Sequence, residues 1–387
     1  MERYLKGSRV NEMSFSYNVL KNEEKAIYSL RALYKEYGYS LYKVSRFEEY
    51  DLYAKNKSFL VSQNILSFTD TNGKLLALKP DVTLSIIKNI PDRDTRTHKL
   101  CYNETVYRTS ADSDGFREIM QTGLECIGNI DTYSECEVIM LAMKSLSTVS
   151  ADYILDISHM GLIDGLLSEA GVDDGQKGEL IRLIESKNIY AIKSLCDKLG
   201  IAEDMQSKIC FLTELYMPID KALDRIKDIV TGEKMSGAYL SLVEICESMN
   251  EYGLCDRLYL DFSIVNDVNY YDGLCFKGFI NGIPDSVLSG GRYDKLLSRL
   301  GKVSGAIGFA VYLDRLERFE GDIAEYDVDA VLIYGKGESI SRINEARKKL
   351  SEGGKRVLVG HTPDLSVRAK QLYRLTDGGI EKIENND

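Results

Sequence analysis

The sequence has no run of apolar residues long enough to span a bilayer, so no membrane-crossing helix is expected. Its first residues, MERYLKGSRVNEM, lack the apolar stretch of a secretory signal, which predicts a cytoplasmic chain. Only three histidines occur (His98, His159 and His361), and the eight cysteines form no Cys-x-x-Cys pair. That scarcity argues against a structural zinc site, and the thiols are expected to be reduced core residues rather than a disulfide frame. With a formal net charge of −11 and no block of Lys and Arg, the chain is a poor match for a phosphate backbone. Gly335-Lys336-Gly337 follows a predicted strand, but the third glycine of a dinucleotide fingerprint is missing, so it reads as a plain βα turn and no cofactor is implied.

What is present is the composition of a globular protein, 44% hydrophobic and 28% charged over 387 residues, a length that predicts two or three domains. The stretch Cys101 to Asp131 holds two β-patterned runs joined by a polar loop. In the second run Arg117, Gln121 and Glu125 recur at even spacing, so a strand would place them on one face and Met120, Thr122, Leu124 and Cys126 on the other. This charged stripe fits either a solvated edge strand or the floor of a ligand site. Gln121 and Glu125 stand about 13 Å apart along an ideal strand, so a single small ligand would have to meet them at opposite ends.

Around that stretch, Ile27, Leu30, Tyr34 and Tyr37 predict a helix from Asn22 to Gly38, with Asn22 as N-cap, and Tyr39 to Phe47 reads as a strand. Asn72-Gly73 and Asn281-Gly282 read as hairpin turns with positive φ at both positions. Lys79-Pro80-Asp81-Val82-Thr83 precedes a helical run to Asn89, with Asp81 or Thr83 able to cap it. From about Tyr153 to Leu254 the pattern is helix after helix. Gly290 to Asp294 (GGRYD) reads as a flexible bend, a strand over 306–311 feeds a helix that carries Arg315, and the last segment opens as β-α-β before a tail expected to fray.

Taken together, these motifs resemble the catalytic core of class II histidyl-tRNA synthetases, and more closely their paralogue, the regulatory subunit of ATP phosphoribosyltransferase. The resemblance implies an α+β fold: a class II synthetase-like antiparallel sheet flanked by helices over 1–150 and 256–320, an all-helical insertion over 151–255, and a truncated anticodon-domain-like α/β segment over 326–387. Leu78 to Thr83 resembles the loop that holds a histidine ammonium. Tyr107-Arg108 with Arg117 to Gln121 and Glu125 resembles motif 2, and Gly308 to Arg315 resembles motif 3. Tyr270-Tyr271 resembles the histidine-specific loop, and Tyr293 belongs to the turn that closes over an imidazole. The histidine-binding candidates so implied are Asp81, Thr83, Arg108, Gln121, Glu125, Tyr271 and Tyr293, with Arg108, Arg117 and Arg315 as a vestigial nucleotide site.

Departures separate the two relatives. Asn266 stands where the ligase has the arginine that stabilises charge at the α-phosphate, and losing such a donor costs about a hundredfold or more in rate. Thr109-Ser110-Ala111-Asp112 replaces the ligase's Glu-Arg-Pro, and Ser45 replaces a dimer-interface proline. Asp156 to Leu162 is similar to the start of the paralogue's insertion, and His159 within it reads as a packed or capping residue. The resemblance therefore implies a non-catalytic protein that completes a short-form ATP phosphoribosyltransferase catalytic subunit and lets histidine inhibit it, as a homodimer within a hetero-oligomer. The alternative it leaves is a histidyl-tRNA synthetase.

Overall fold

The computed structural model describes residues 20–60, 64–91, 96–110, 113–264, 270–316, 326–362 and 366–383. Two compact units are distinguished: Asn22–Phe319, and the terminal segments Met1–Lys21 with Glu320–Asp387.

In the larger unit, α1 (Asn22–Glu36) buries Leu30 and Tyr34 and ends before Gly38, whose φ of +83° suits a residue without Cβ. The predicted strand over 39–47 is instead two short ones, β1 (Ser40–Leu41) and β2 (Phe47–Glu49). Between them the Val44 amide donates to the Glu104 carboxylate and the Ser45 hydroxyl to Phe47 O, so the backbone satisfies itself outside a ladder. After α2 (Tyr50–Ala54), β3 (Ser67–Thr69) and β4 (Leu75–Leu78) form the first predicted hairpin. Its turn has positive φ only at Gly73, because Asp70 Oδ1 accepts from the amides of Asn72 and Lys74 and holds the loop in a longer form.

Next come α3 (Thr83–Asn89), the long β5 (His98–Ser110) and β6 (Ser113–Gly128), α4 (Thr132–Val149) and β7 (Tyr153–His159). The stretch read as all-helical therefore begins with a strand, and Tyr153 to His159 pairs along its whole length with a later one. Burial on both faces removes the alternation that would have marked it. His159 then caps α5 (Met160–Glu169), its Nδ1 accepting from the Gly161 amide. Helices α6 (Asp174–Glu185), α7 (Ile189–Leu199) and α8 (Glu203–Glu214), strand β8 (Tyr216–Pro218), and helices α9 (Ile219–Ile226) and α10 (Gly232–Glu251) follow. The chain returns through β9 (Leu258–Asp261), β10 (Leu274–Ile280), β11 (Leu288–Arg292), α11 (Asp294–Arg299), β12 (Gly305–Tyr312) and α12 (Leu313–Leu316). Asn281-Gly282 lies in a longer β10–β11 connection, with positive φ at Gly282 alone. Gly290 and Gly291 are not a bend; both sit inside β11.

One nine-stranded sheet results, in the order β1-β5-β6-β12-β11-β10-β7-β9-β8. It is mixed rather than purely antiparallel, since β1 pairs parallel with β5 and β7 parallel with β9. One face packs Leu124, Cys126 and Phe309 against α1 and α4; the other carries a separate apolar cluster with Leu84 and Ile87 of α3 and Leu296 of α11. A second small sheet orders β2-β4-β3.

The smaller unit has β13 (Ala330–Ile333), α13 (Ile340–Leu350) and β14 (Val357–Gly360) in the expected parallel βαβ arrangement. Beyond it, β15 (Leu372–Thr376) pairs antiparallel with β16 (Gly379–Ile383), so the polar tail expected to fray is a strand as far as Ile383. Leu332, Ala346 and Leu375 form its core.

Candidate ligand site

The stripe on β6 acquires depth from its neighbours. Register pairs Gln121 with Glu104 and Glu125 with Leu100 across β5, and the same residues with Tyr312 and Gly308 across β12. The row continues from Gly308 to Gly291 of β11 and Cys275 of β10. A Cβ on Gly308 would overlap the Glu125 carboxylate, and one on Gly291 would strike the Tyr271 ring. These two glycines let a carboxylate and an aromatic ring lie flat against the sheet, forming the floor of a cavity of about 310 Å³.

Two loops wall the cavity. Pro80 ends β4, and Asp81 Oδ1 accepts the Leu84 amide at 2.8 Å, so capping α3 also turns the Asp81–Thr83 segment inward. Thr83 Oγ1 donates to Glu125 Oε1 at 2.6 Å, and the Tyr293 hydroxyl donates to Glu125 Oε2. Beside that loop, Tyr270 packs edge-on to Tyr271 with centroids 4.8 Å apart and lies 5.6 Å from the Tyr293 ring. Asp272 fixes this aromatic loop by accepting the amides of Asp294 and Lys295 at the start of α11.

The electrostatics suit a cationic ligand group. Burial pushes the Glu125 carboxyl up to about 8, against the opposing pull of the Thr83 and Tyr293 hydroxyls, and nearby Asp81 raises it further. Asp81 is itself raised, first by burial, with the Arg108 guanidinium and the Leu84 amide pulling the other way. Arg108 is the counter-charge on the Asp81 side: its Nε donates to Pro80 O at 2.8 Å, and its Nη2 pairs with Asp81 Oδ2 at 3.9 Å. Gln121 is 2% exposed, and its Nε2 has no hydrogen-bond partner among the described residues. The cavity thus offers carboxylate acceptors at one end and an unanswered amide donor at the other.

Of the predicted residues, Asp81, Thr83, Arg108, Gln121, Glu125, Tyr271, Tyr293 and Arg315 all line this one cavity. Arg315 forms its rim, donating to Ser286 and lying 4.5 Å over the Tyr312 ring. Arg117 does not join them: it is exposed on β6, four residues outward from Gln121. Asn266 lies outside the described residues, as do Ala111 and Asp112. Sequence reasoning missed Tyr102, Tyr312 and Lys277, which also line the cavity. The signal for Tyr102 is Gly123, its cross-strand partner, a glycine inside a strand that makes room for the ring.

Residues 18–316 match the family model described as histidyl-tRNA synthetase. A protein of Oceanobacillus iheyensis, named ATP phosphoribosyltransferase regulatory subunit, is 30% identical over 309 residues, covering 79% of this chain and 76% of its own length. The chain belongs to the ATP phosphoribosyltransferase regulatory subunit family. Among solved structures, an ATP phosphoribosyltransferase regulatory subunit/histidyl-tRNA synthetase of Bacillus halodurans shares the fold, with a TM-score of 0.75 at 23% identity over 94% of this chain and 95% of that one. An ATP phosphoribosyl transferase (HisG:HisZ) complex of Thermotoga maritima gives a TM-score of 0.60 at 20% identity, covering 75% and 97%. The class II synthetase-like fold of the regulatory subunits is therefore also the fold of this chain, with a nine-stranded mixed sheet. Among the described residues, no helix is long and apolar enough to cross a membrane.

Proposed function

We propose that this chain is the non-catalytic regulatory subunit of an ATP phosphoribosyltransferase, acting in the first step of histidine synthesis by completing a short-form catalytic subunit in the cytoplasm. Membership of the regulatory-subunit family carries the reading. The Thermotoga maritima neighbour, a HisG:HisZ complex, supports a catalytic partner. The 1–150 and 256–320 core, the 151–255 insertion and the 326–387 segment are its working divisions, and a homodimer within a hetero-oligomer is its assembly.

Histidine is the proposed effector, held in the cavity on β6. Its amine and imidazole N–H groups supply charge and donors to Asp81 and Glu125, and its carboxylate accepts from Gln121 and Arg108. Tyr271 and Tyr293 pack the ring, while Arg108, Arg117 and Arg315 are what remains of a nucleotide site, with Arg117 outside the cavity. Regulation requires that histidine bind the inhibited assembly more tightly than the active one, a coupling of about 1–3 kcal/mol.

Mixing the chain with a short-form catalytic subunit tests this. Phosphoribosyl transfer should switch on with the mixture and fall on adding histidine, while the chain alone gives no histidine-dependent ATP–pyrophosphate exchange. Robust exchange by the isolated chain would overturn the reading.

A further inference from the structure

Lys79 is the most completely buried cation among the described residues, with 0% exposure, and it sits two residues before Asp81. Its Nζ pairs with Glu104 Oε2 at 2.5 Å. The other Glu104 oxygen accepts the Val44 amide at 2.9 Å. The Lys79 backbone is tied as well: its amide donates to Arg46 O at 3.1 Å and its carbonyl accepts from the Tyr107 amide at 3.0 Å. One residue on, Pro80 O receives Arg108 Nε. The loop that carries Asp81 and Thr83 is thus fastened to β5 at two points, through Lys79 with both its side chain and its backbone, and through Arg108 at Pro80.

A buried ion pair is weak evidence of a contribution to stability, because desolvating two charges offsets most of their attraction, and an apolar pair of the same shape often serves as well. What such a pair does supply is geometry. An ammonium surrounded by apolar groups must stay with its carboxylate, and a loop drawn to that carboxylate has one register against the strand. Here the carboxylate belongs to the cross-strand neighbour of Gln121, so one residue row fixes both ends of the cavity.

We propose that Lys79 and Glu104 are positioning residues for the cavity. Their pairing sets the Asp81–Thr83 loop at the height where Asp81 caps α3 and Thr83 reaches Glu125. Neither side chain is needed to touch the ligand. The proposal rests on the histidine-site reading above for its binding readout, but its structural readout is independent of it.

The test compares the full-length wild type with Lys79→Met, Glu104→Gln and the Lys79→Met/Glu104→Gln double variant. Glutamine keeps an acceptor for Val44, and the double variant leaves no unpaired charge. Each is examined by thermal melting, by histidine titration calorimetry and by hydrogen exchange at the Leu84 amide. The single variants should melt early. The double variant should regain most of the melting temperature, yet bind histidine at least tenfold more weakly and lose protection at Leu84. If the double variant regains both affinity and Leu84 protection with its stability, the pair only fills space and the proposal falls. If the wild type binds no histidine, the effector reading fails, and Leu84 exchange alone decides the positioning claim.

Discussion

The hydroxyl of Thr83 lies 2.6 Å from Oε1 of Glu125, joining a helix-capping loop to the middle of the sheet through a buried carboxylate. A cationic ligand beside Glu125 would draw it into its ionised form, where a hydrogen bond is worth about 1.5–3 kcal/mol, so Thr83→Val should weaken histidine binding roughly tenfold to a hundredfold. Tyr293→Phe should do the same, since it removes the donor on the other oxygen. Titration calorimetry on both variants checks this, with Thr109→Val as a control outside the cavity.

Glu125 also makes stability depend on pH. Its carboxyl is raised from 4.5 to about 8, chiefly by burial. Below 4.5 both folded and unfolded chains hold the proton; between 4.5 and 8 only the folded chain keeps it. The stabilising contribution is therefore complete below 4.5 and is lost as pH rises through 8. Urea unfolding at pH 5.5 and 8.5 should show a decline with rising pH that Glu125→Gln flattens.

Gln121 gives the opposite pattern from a supporting residue. An unsatisfied buried polar group costs about 1–3 kcal/mol, so Gln121→Leu should leave the free protein as stable or more so. The same change should abolish measurable histidine binding, because it removes the donor proposed to meet the ligand carboxylate. Paired melting curves with and without histidine check both halves: the wild type shifts upward, the variant does not.

The glycine floor is equally open to test. Gly308→Ala puts a methyl where the Glu125 carboxylate lies, and overpacking of this kind costs about 1–3 kcal/mol. Gly335→Ala, with open space around it, should leave stability near the wild-type value. Denaturant midpoints of the two variants give the comparison.

Much of the site is legible in the sequence, for identifiable reasons. Residues 117, 121 and 125 alternate on a regular strand, and period two is read directly from spacing. The Pro80 stop and the Asp81 cap are local, so the inward turn of that loop is legible too. What stays hidden depends on partners distant in sequence. Gly290 and Gly291 look like a bend in isolation, and only pairing with Gly308 and packing of Phe276 and Tyr271 explain them as strand residues. Tyr153 to His159 loses its alternation to burial on both faces. Arg117 shares the parity of Gln121 but lies beyond the cavity mouth, which parity cannot tell.

The hydrogen bonds at Glu125 join it to residues 42 and 168 positions away, and helices α4 to α10 all lie between it and Tyr293. Contacts over such separations form slowly, because long loops must close first. During synthesis the first half of the chain emerges with its carboxylates in place but without Tyr293 or the Gly308 floor. The cavity therefore exists only once residues near Arg315 have left the ribosome, so a nascent chain has no complete ligand site until its synthetase-like unit is whole.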